Sequence, residues 1–585
     1  MNVRIGSLEY FKKWLVLGVL IGVVAGVGAL VFYYAIIYAQ ALFLGGIAGT
    51  QLPNPLSEGG QSYIPGNYML VPLSIIIGGL FSGFLVYKFA PEAEGHGTDA
   101  MIDAFHNKGG KIRRRVPIIK TIASALTIGS GGSAGREGPT AQIAAGIGSA
   151  LSDIFRLDEK DRRIAVLVGT GAGIGTIFKA PMGGALLAVE VPYKRDFETG
   201  ALFPAIVASA IGYSIFGYIV GFQPIFGYYL GAFSPFNLPL YAILGIAAGT
   251  FVIFYVKVFY FVQNRFKTLR ISNYFKPAIG AAFVAVIALA FPEVMGVGYG
   301  WMQVLLSGNL NALPTFGLPL VAMLILLPFA KVFATSFTIG SGGSGGVFAP
   351  GILIGASLGL LFGLLFNHFL PIVAVSVTPF VIIGALAFMG AAGKIPMSVL
   401  LMVTEMTGSL QLLPAAMVAV ALSYLFSGQN TIYRSQVMQR SDSPVHKYDY
   451  NVPLLENIRI ADLVLRDISL RPDDTVRYAK RKMLAIGASE LPVAAKGRLL
   501  GKISLAAISG TKGSVRIAHL KEKRVESVDY EGNSMEAMDA MVRNGSTWVP
   551  VVSGKKYIGC ATLRCVETQY KKIVKGTDMG EKRAA

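Results

Sequence analysis

The chain has 585 residues, 53% of them hydrophobic and only 15% charged, with a net charge of +19 and a mean hydropathy of +0.57. Soluble proteins carry about 25% charged residues, so charge cannot cover this surface, and a soluble enzyme is excluded. The excess of Lys and Arg does not point to nucleic acid. The clusters at Lys12–Lys13, Lys108–Arg115, Arg162 and Tyr193–Arg195 lie beside or between apolar runs, as on the cytoplasmic loops of membrane proteins.

In chain order, the first apolar run is Trp14–Tyr34. It is long enough to cross a bilayer and has no processing site, so it reads as a span and not as a cleaved signal peptide. Met69–Val86 follows, and then apolar runs near 200–220, 237–262, 275–291, 315–330, 351–388 and 411–427. Several are interrupted by Gly or Pro, which leaves the number of spans open.

Between these runs a Gly-rich stretch occurs twice: GSGGSAGREGP at 129–139 and GSGGSGGVFAP at 340–350, with seven of eleven positions identical. A second matched pair follows in the same order, KAPMGGALLAVE at 179–190 and KIPMSVLLMVTE at 394–405. This is the mark of an internal duplication, with halves near 10–222 and 237–438 of a membrane region spanning 1–440. Inverted repeats and broken helices are the expected architecture of such a transporter.

Irregular backbone at membrane depth needs a reason. Close helix packing through small residues is one. Another is a broken helix whose free N–H groups face an aqueous cavity and bind an anion. Pro139 and Pro350 suit the first turn of a new helix, where a missing N–H costs nothing. Two such N-termini, one from each half, would make a dehydrated positive site without a full charge, from which an ion can also leave. Glu137 then stands out, because a carboxylate beside these amides can occupy the anion site until protonation or an arriving ion displaces it. An ordinary helix-cap acid is its plain alternative.

Other chemistries find little support. The glycine runs lack the P-loop Gly-Lys-Ser/Thr ending. Gly131–Gly135 spells Gly-x-Ser-x-Gly, but no histidine base accompanies it. Five histidines are scattered, and Cys560 and Cys565 both fall in the polar tail. No metal site, disulfide framework or enzymatic activity is expected.

Residues 441–585 are richer in charge and carry a weaker repeat. IADL at 460–463 recurs as IAHL at 517–520, GASELPV at 487–493 parallels GSTWVPV at 545–551, and Gly501 parallels Gly559. Each copy reads as a helix and then a strand, so two small α/β units are expected, near 455–511 and 512–575. Val476, Met483 and Leu484, like Met538 and Met541, recur at helical spacing and read as packing.

GREGP at 135–139, GVFAP at 346–350 and the lysine–proline motifs at 179–181 and 394–396 resemble, in this order, the CLC family of chloride channels and proton-coupled chloride transporters. The resemblance covers most of residues 10–440. It implies a homodimer with one pore per subunit, antiparallel halves, and Cl⁻ held by helix termini. It implies Glu137 as the external gating glutamate, and Gly346, Val347, Phe348 and Ala349 as the second anion-binding segment. Tyr433 matches the tyrosine whose hydroxyl contacts the central ion. The tail resembles a tandem pair of CBS domains, which can bind adenine nucleotides such as ATP. Ser504 and Thr562 are the candidate contacts, and a purely structural tail is the alternative.

Two departures from the family pattern matter. The usual Gly-Ser-Gly-Ile-Pro segment reads Gly95-His96-Gly97-Thr98-Asp99, so His96 stands where a serine ordinarily meets the anion. Val191 stands where proton-exchanging relatives often carry an inner glutamate, and valine cannot carry a proton. The expected protein is thus a multi-pass cell-membrane protein with a cytoplasmic CBS pair. It would transport chloride through a Glu137-gated, channel-like pathway with no required cofactor. The alternatives are a proton-coupled chloride antiporter and, more distantly, a membrane-anchored nucleotide sensor.

Overall fold

The protein is described by a computed structural model covering residues 9–231, 234–314, 319–370, 376–446, 452–520, 522 and 525–584. It falls into two compact units, one ending at Val445 and the other beginning at His446. In the first unit, six helices among the described residues are long and apolar enough to cross a membrane: Tyr10–Ala48, Tyr68–Phe89, Thr199–Val220, Pro235–Thr268, Leu320–Gly340 and Phe348–Phe369. Lys276–Ala290, Val377–Gly393, Pro396–Thr407 and Leu413–Phe426 are shorter apolar helices.

Two expected runs change on folding. The run 315–330 becomes a helix from Leu320 to Gly340, continuing past Lys331, whose charge breaks the apolar pattern in the sequence. Its ammonium is buried and donates to the Val294 carbonyl at 2.8 Å, so the charge is met internally and the helix need not end. The run 351–388 is two helices, Phe348–Phe369 and Val377–Gly393. Residues 315–318 and 371–375 of these runs lie outside the described residues.

The duplication read from the glycine motifs is built into the packing. Glu137–Ile154 packs on Glu159–Ile177, and its counterpart Phe348–Phe369 packs on Val377–Gly393. Tyr10–Gln40 packs on Leu202–Val220, as Leu238–Thr268 does on Leu413–Phe426. Where the halves meet, contacts are reciprocal. Gly135 N–H donates to Gly346 O at 2.7 Å, and Gly346 N–H donates back to Gly135 O at 2.7 Å. Ser124 meets Ser344 at 2.9 Å and Ser133 meets Thr335 at 3.0 Å, the same pairing read from either half. Glu190 accepts from Met397 N and Ser398 N, while Glu405 accepts from Met182 N and Gly183 N. Equivalent residues exchanging equivalent bonds define a two-fold relation between the halves.

Small residues make this closeness feasible. A Cβ on Gly184 would overlap the backbone of Gly175, and one on Gly359 would overlap the Phe380 carbonyl.

The second unit is α/β. Glu490–Ala495 pairs antiparallel with Arg498–Ser504, and Trp548–Ser553 with Lys556–Thr562. Both hairpins share one register, Val493 facing Gly501 and Val551 facing Gly559, with an irregularity at the next residue. A parallel neighbour flanks each, Leu470 on Val493 and Val528 on Val551. Helices Val476–Ile486 and Ser534–Asn544 cover them. Chain order does not divide the two cores cleanly: Ile458, Ile460 and Leu463 pack with Val549, Val551 and Ala561 of the second hairpin. Leu484, read as part of an apolar helix face, is 75% exposed, because Ala479 and Met483 take the inner face.

Candidate functional site

Both glycine motifs are helix breaks. The first lies between helix Arg115–Gly129 and helix Glu137–Ile154; the second joins Leu320–Gly340 to Phe348–Phe369. Gly131 and Gly342 hold φ of 107° and 101°, a region closed to most side chains, which lets the chain reverse within a few residues. Pro139 and Pro350 fall in the first turns that follow. The Gly135–Gly346 exchange then brings the two N-termini together, with their first-turn amides lacking intrahelical partners.

Glu137, 2% exposed, lies at this junction. Its carboxylate accepts from the Tyr299 hydroxyl, and its other oxygen accepts from Ala349 N–H at 3.4 Å. The acid of one half therefore sits on the helix N-terminus of the other. Beneath it is a cavity of about 10 Å³ lined by Glu137, Val347, Phe348, Tyr433 and Thr98, with Ile174, Phe178 and Leu187 as apolar wall. That is room for about one water. Phe178 and Phe348 meet edge to face at 4.9 Å, and Tyr433 is 2% exposed and lines the cavity together with Thr98.

His96 lies elsewhere. It lines a much larger cavity of about 840 Å³, with Glu94, Asp99, Lys108 and Lys267 among its walls. Its ring stands 5.4 Å from that of Tyr433, which lines the smaller, central cavity; His96 itself lines only the larger one, the vestibule. Its Nδ1 accepts from Asp99 N–H at 3.4 Å, closing the turn that opens helix Thr98–Asn107. Gly346 is the bridge residue, and Ala349 reaches Glu137 instead of the cavity.

Val191 is fully buried at the end of helix Pro181–Glu190. Its carbonyl accepts from Gln436 Nε2 at 2.9 Å, which also serves Gly393 O at 2.9 Å. Ser504 and Thr562, equivalent hairpin ends, have their hydroxyls engaged locally: they accept from Ala507 N at 3.2 Å and Cys565 N at 3.3 Å.

Thr98 and Tyr299 were missed from sequence. A third repeat carries the signal, PEAEGHGT at 91–98 and PEVMGVGY at 292–299. The last residues of the two copies are these two, one facing Tyr433 and one facing Glu137. A buried lysine serves each loop, Lys120 on Ala93 O (2.9 Å) and Gly95 O (2.7 Å), and Lys331 on Val294 O (2.8 Å).

A duplicated helical membrane fold with paired helix N-termini and an acid between them defines a class of anion transporters. The family model for the voltage gated chloride channel matches residues 78–428. An uncharacterized protein of Methanocaldococcus jannaschii is 30% identical over 429 residues, covering 73% of this chain and 96% of that protein. The H(+)/Cl(−) exchange transporter ClcA of Salmonella agona is 30% identical over 411 residues, covering 67% of this chain and 84% of its own. In fold, the chain is similar to a slow cyanobacterial Cl⁻/H⁺ antiporter (TM-score 0.60, 23% identity, 72% of this chain and 96% of that one). It is similar also to a eukaryotic CLC transporter (TM-score 0.57, 20% identity, 95% of this chain and 98% of that one). The chain belongs to the voltage-gated chloride channel (CLC) family, and is a multi-pass membrane protein of chloride transport.

Proposed function

We propose that the membrane unit passes chloride through a pathway gated by Glu137, with passive, channel-like flow. The observation that carries this reading is the Glu137 carboxylate on the helix N-terminus of the opposite half, directly over the cavity bordered by Val347, Phe348, Tyr433 and Thr98. A chloride displacing the carboxylate meets N–H and hydroxyl donors and no fixed positive charge, so it binds and also leaves. Val191 supports uncoupled flow, since an apolar buried side chain offers no proton acceptor where exchangers often carry an acid.

Exchange of chloride for protons is the second reading. It is favoured by His96, a titratable ring between the vestibule and Tyr433, and by the exchange activity named for the Salmonella relative. The two separate in liposomes under a chloride gradient. Uphill proton movement abolished by Glu137→Gln rejects passive flow; chloride flux without protons rejects exchange.

We further propose a homodimer with one pathway per subunit, and a cytoplasmic tail of two CBS-like units. Adenine nucleotide binding by this tail is part of the same proposal, with calorimetric titration of ATP into the full chain as its test.

A further inference from the structure

The two-fold relation fails at one connection. Helices Tyr10–Gln40 and Leu238–Thr268 are counterparts, and so are the long helices that follow them, Val71–Phe89 and Lys276–Ala290. In the second half the link is the short turn 269–275, and its residues Ser272, Asn273 and Tyr274 border the vestibule. In the first half the link runs from 41 to 70, and its stretch 49–67 holds one short helical turn, Leu56–Glu58. Most connections in compact domains are about 4–6 residues long, and much longer irregular ones are usually functional. This loop lies at the start of Val71–Phe89, whereas Tyr87, near the end of that helix, lines the vestibule. It also closes on itself. Gln51 and Ile64 exchange backbone bonds of 3.0 Å, Asn54 N–H donates to Gln61 O at 3.0 Å, and Asn67 N–H donates to Ala48 O at 2.7 Å. Compact loops with adjoining ends often carry function, and such internal bonds survive movement of the loop as one body.

The loop is seated on the groups that hold the gate. Pro53 is buried, and its carbonyl stands where a Cβ on Gly300 would be. Tyr63 packs on Trp301 with ring centroids 5.1 Å apart. Gly300 and Trp301 directly follow Tyr299, the donor to Glu137. Glu58 pairs with Arg136, the residue before Glu137, at 2.6 Å, with side chains 10% and 5% exposed. Ser57 Oγ donates to Ile225 O at 3.2 Å. Among the described residues, the other hydrogen bonds of the tip, 55–61, stay within the loop. The two sides of the gate are therefore unlike: a cavity of about 840 Å³ on the His96 side, and one of about 60 Å³ beneath the loop.

We propose that 49–67 is a lid, latched by Glu58 on Arg136, which must lift before chloride passes between Glu137 and the solution on this side. The proposal rests on chloride passage past Glu137 and is indifferent to passive or coupled flow. With the latch cut, Arg136 is buried and unpaired when the lid is down, and meets water when it is up. Removing one partner of a buried ion pair is costly, so the loss favours the raised lid.

A reversible fold is not needed to test this, because the lid can be tied down. Leu56 and Tyr228 are both exposed, and a Cβ on Gly227 would meet Leu56 at 3.7 Å. Leu56→Cys and Tyr228→Cys can therefore be joined by a short bis-maleimide, while the native Cys560 and Cys565 are buried in the tail. In liposomes, cross-linking the double variant should cut chloride flux about tenfold, and the reagent should leave each single variant unchanged. Glu58→Gln should raise flux about tenfold. Glu58→Asp, which keeps the charge but falls short of Arg136, should raise it too, and the cross-link should cancel both gains. Undiminished flux after complete cross-linking overturns the lid. A gain in Glu58→Gln that is absent from Glu58→Asp and survives the cross-link overturns the latch, since it would be a charge effect on the pathway alone. Wild-type protein without chloride flux would overturn the chloride pathway, and the lid with it.

Discussion

Glu137, Tyr299 and Ala349 set the chemistry at the scale of single residues. The carboxylate is bound by a hydroxyl and a helix-end amide, neither carrying full charge, and the nearby cation Arg136 is already engaged by Glu58. Protonation removes the charge that holds the acid there, so acidification on its side should raise chloride flux. Glu137→Gln should give high flux with this pH dependence flattened; equal pH profiles in both proteins would contradict the gate. Elsewhere the tail offers a titration with a clear sign. Burial pushes the Cys560 thiol up to about 12 from an ordinary 9.0. The folded state therefore keeps a proton that the unfolded chain gives up. The thiol's contribution to tail stability is complete below about pH 9 and falls as pH rises towards 12. Chemical denaturation of the full chain at pH 8 and pH 10.5, followed by tail fluorescence, should show the loss, and Cys560→Ala should remove it.

Helix ends and close helix contacts carry the next level. Glu190 takes bonds from Met397 N–H, Ser398 N–H and the Ser398 hydroxyl, whereas Glu405 takes two backbone bonds and is less buried. Each acid sits at a helix N-terminus, where its charge is favoured. Glu190→Ala should cost more stability than Glu405→Ala, by about 1–2 kcal/mol, as thermal unfolding in detergent would measure. Gly184 lies against the backbone of Gly175, and neither helix can yield to a methyl without moving. Gly184→Ala should destabilise by about 1–3 kcal/mol, while Gly428→Ala, with nothing near its Cβ position, should show strain from its φ of 57° alone. The helix breaks at both glycine motifs were legible in sequence, since Gly and Pro at fixed spacing state where a helix must stop and restart. The extension of Leu320–Gly340 was not, because a lysine in an apolar run looks like an end until its carbonyl partners are seen.

The whole molecule is two units with separate cores. A chain ending at Val445 should retain chloride flux in liposomes, and residues 446–585 expressed alone should unfold cooperatively. Failure of either would mean that the units complete each other. Within the membrane unit, the two-fold relation makes one structural solution serve twice with different ends. Lys120 and Lys331 secure equivalent loops, but those loops present Thr98 to Tyr433 and Tyr299 to Glu137. Lys179 and Lys394 share a backbone conformation, yet Lys394 is satisfied and Lys179 has no hydrogen-bond partner among the described residues.

Composition and the doubled motifs were enough to establish a duplicated membrane protein, because hydrophobicity and glycine spacing act locally and survive in one dimension. The motifs also singled out Glu137, whereas Tyr433 and Val191 were reached only through the family resemblance. Partnership across the two-fold was decided only by the tertiary structure. That Glu137 meets Tyr299, that Thr98 lines the central cavity where His96 lines the vestibule, and that Lys179 stands unpaired all depend on contacts between residues far apart in the chain. The halves differ in function where a side chain takes its partners from the opposite half, as Glu137 does from Tyr299 and Ala349, and no local pattern specifies those partners.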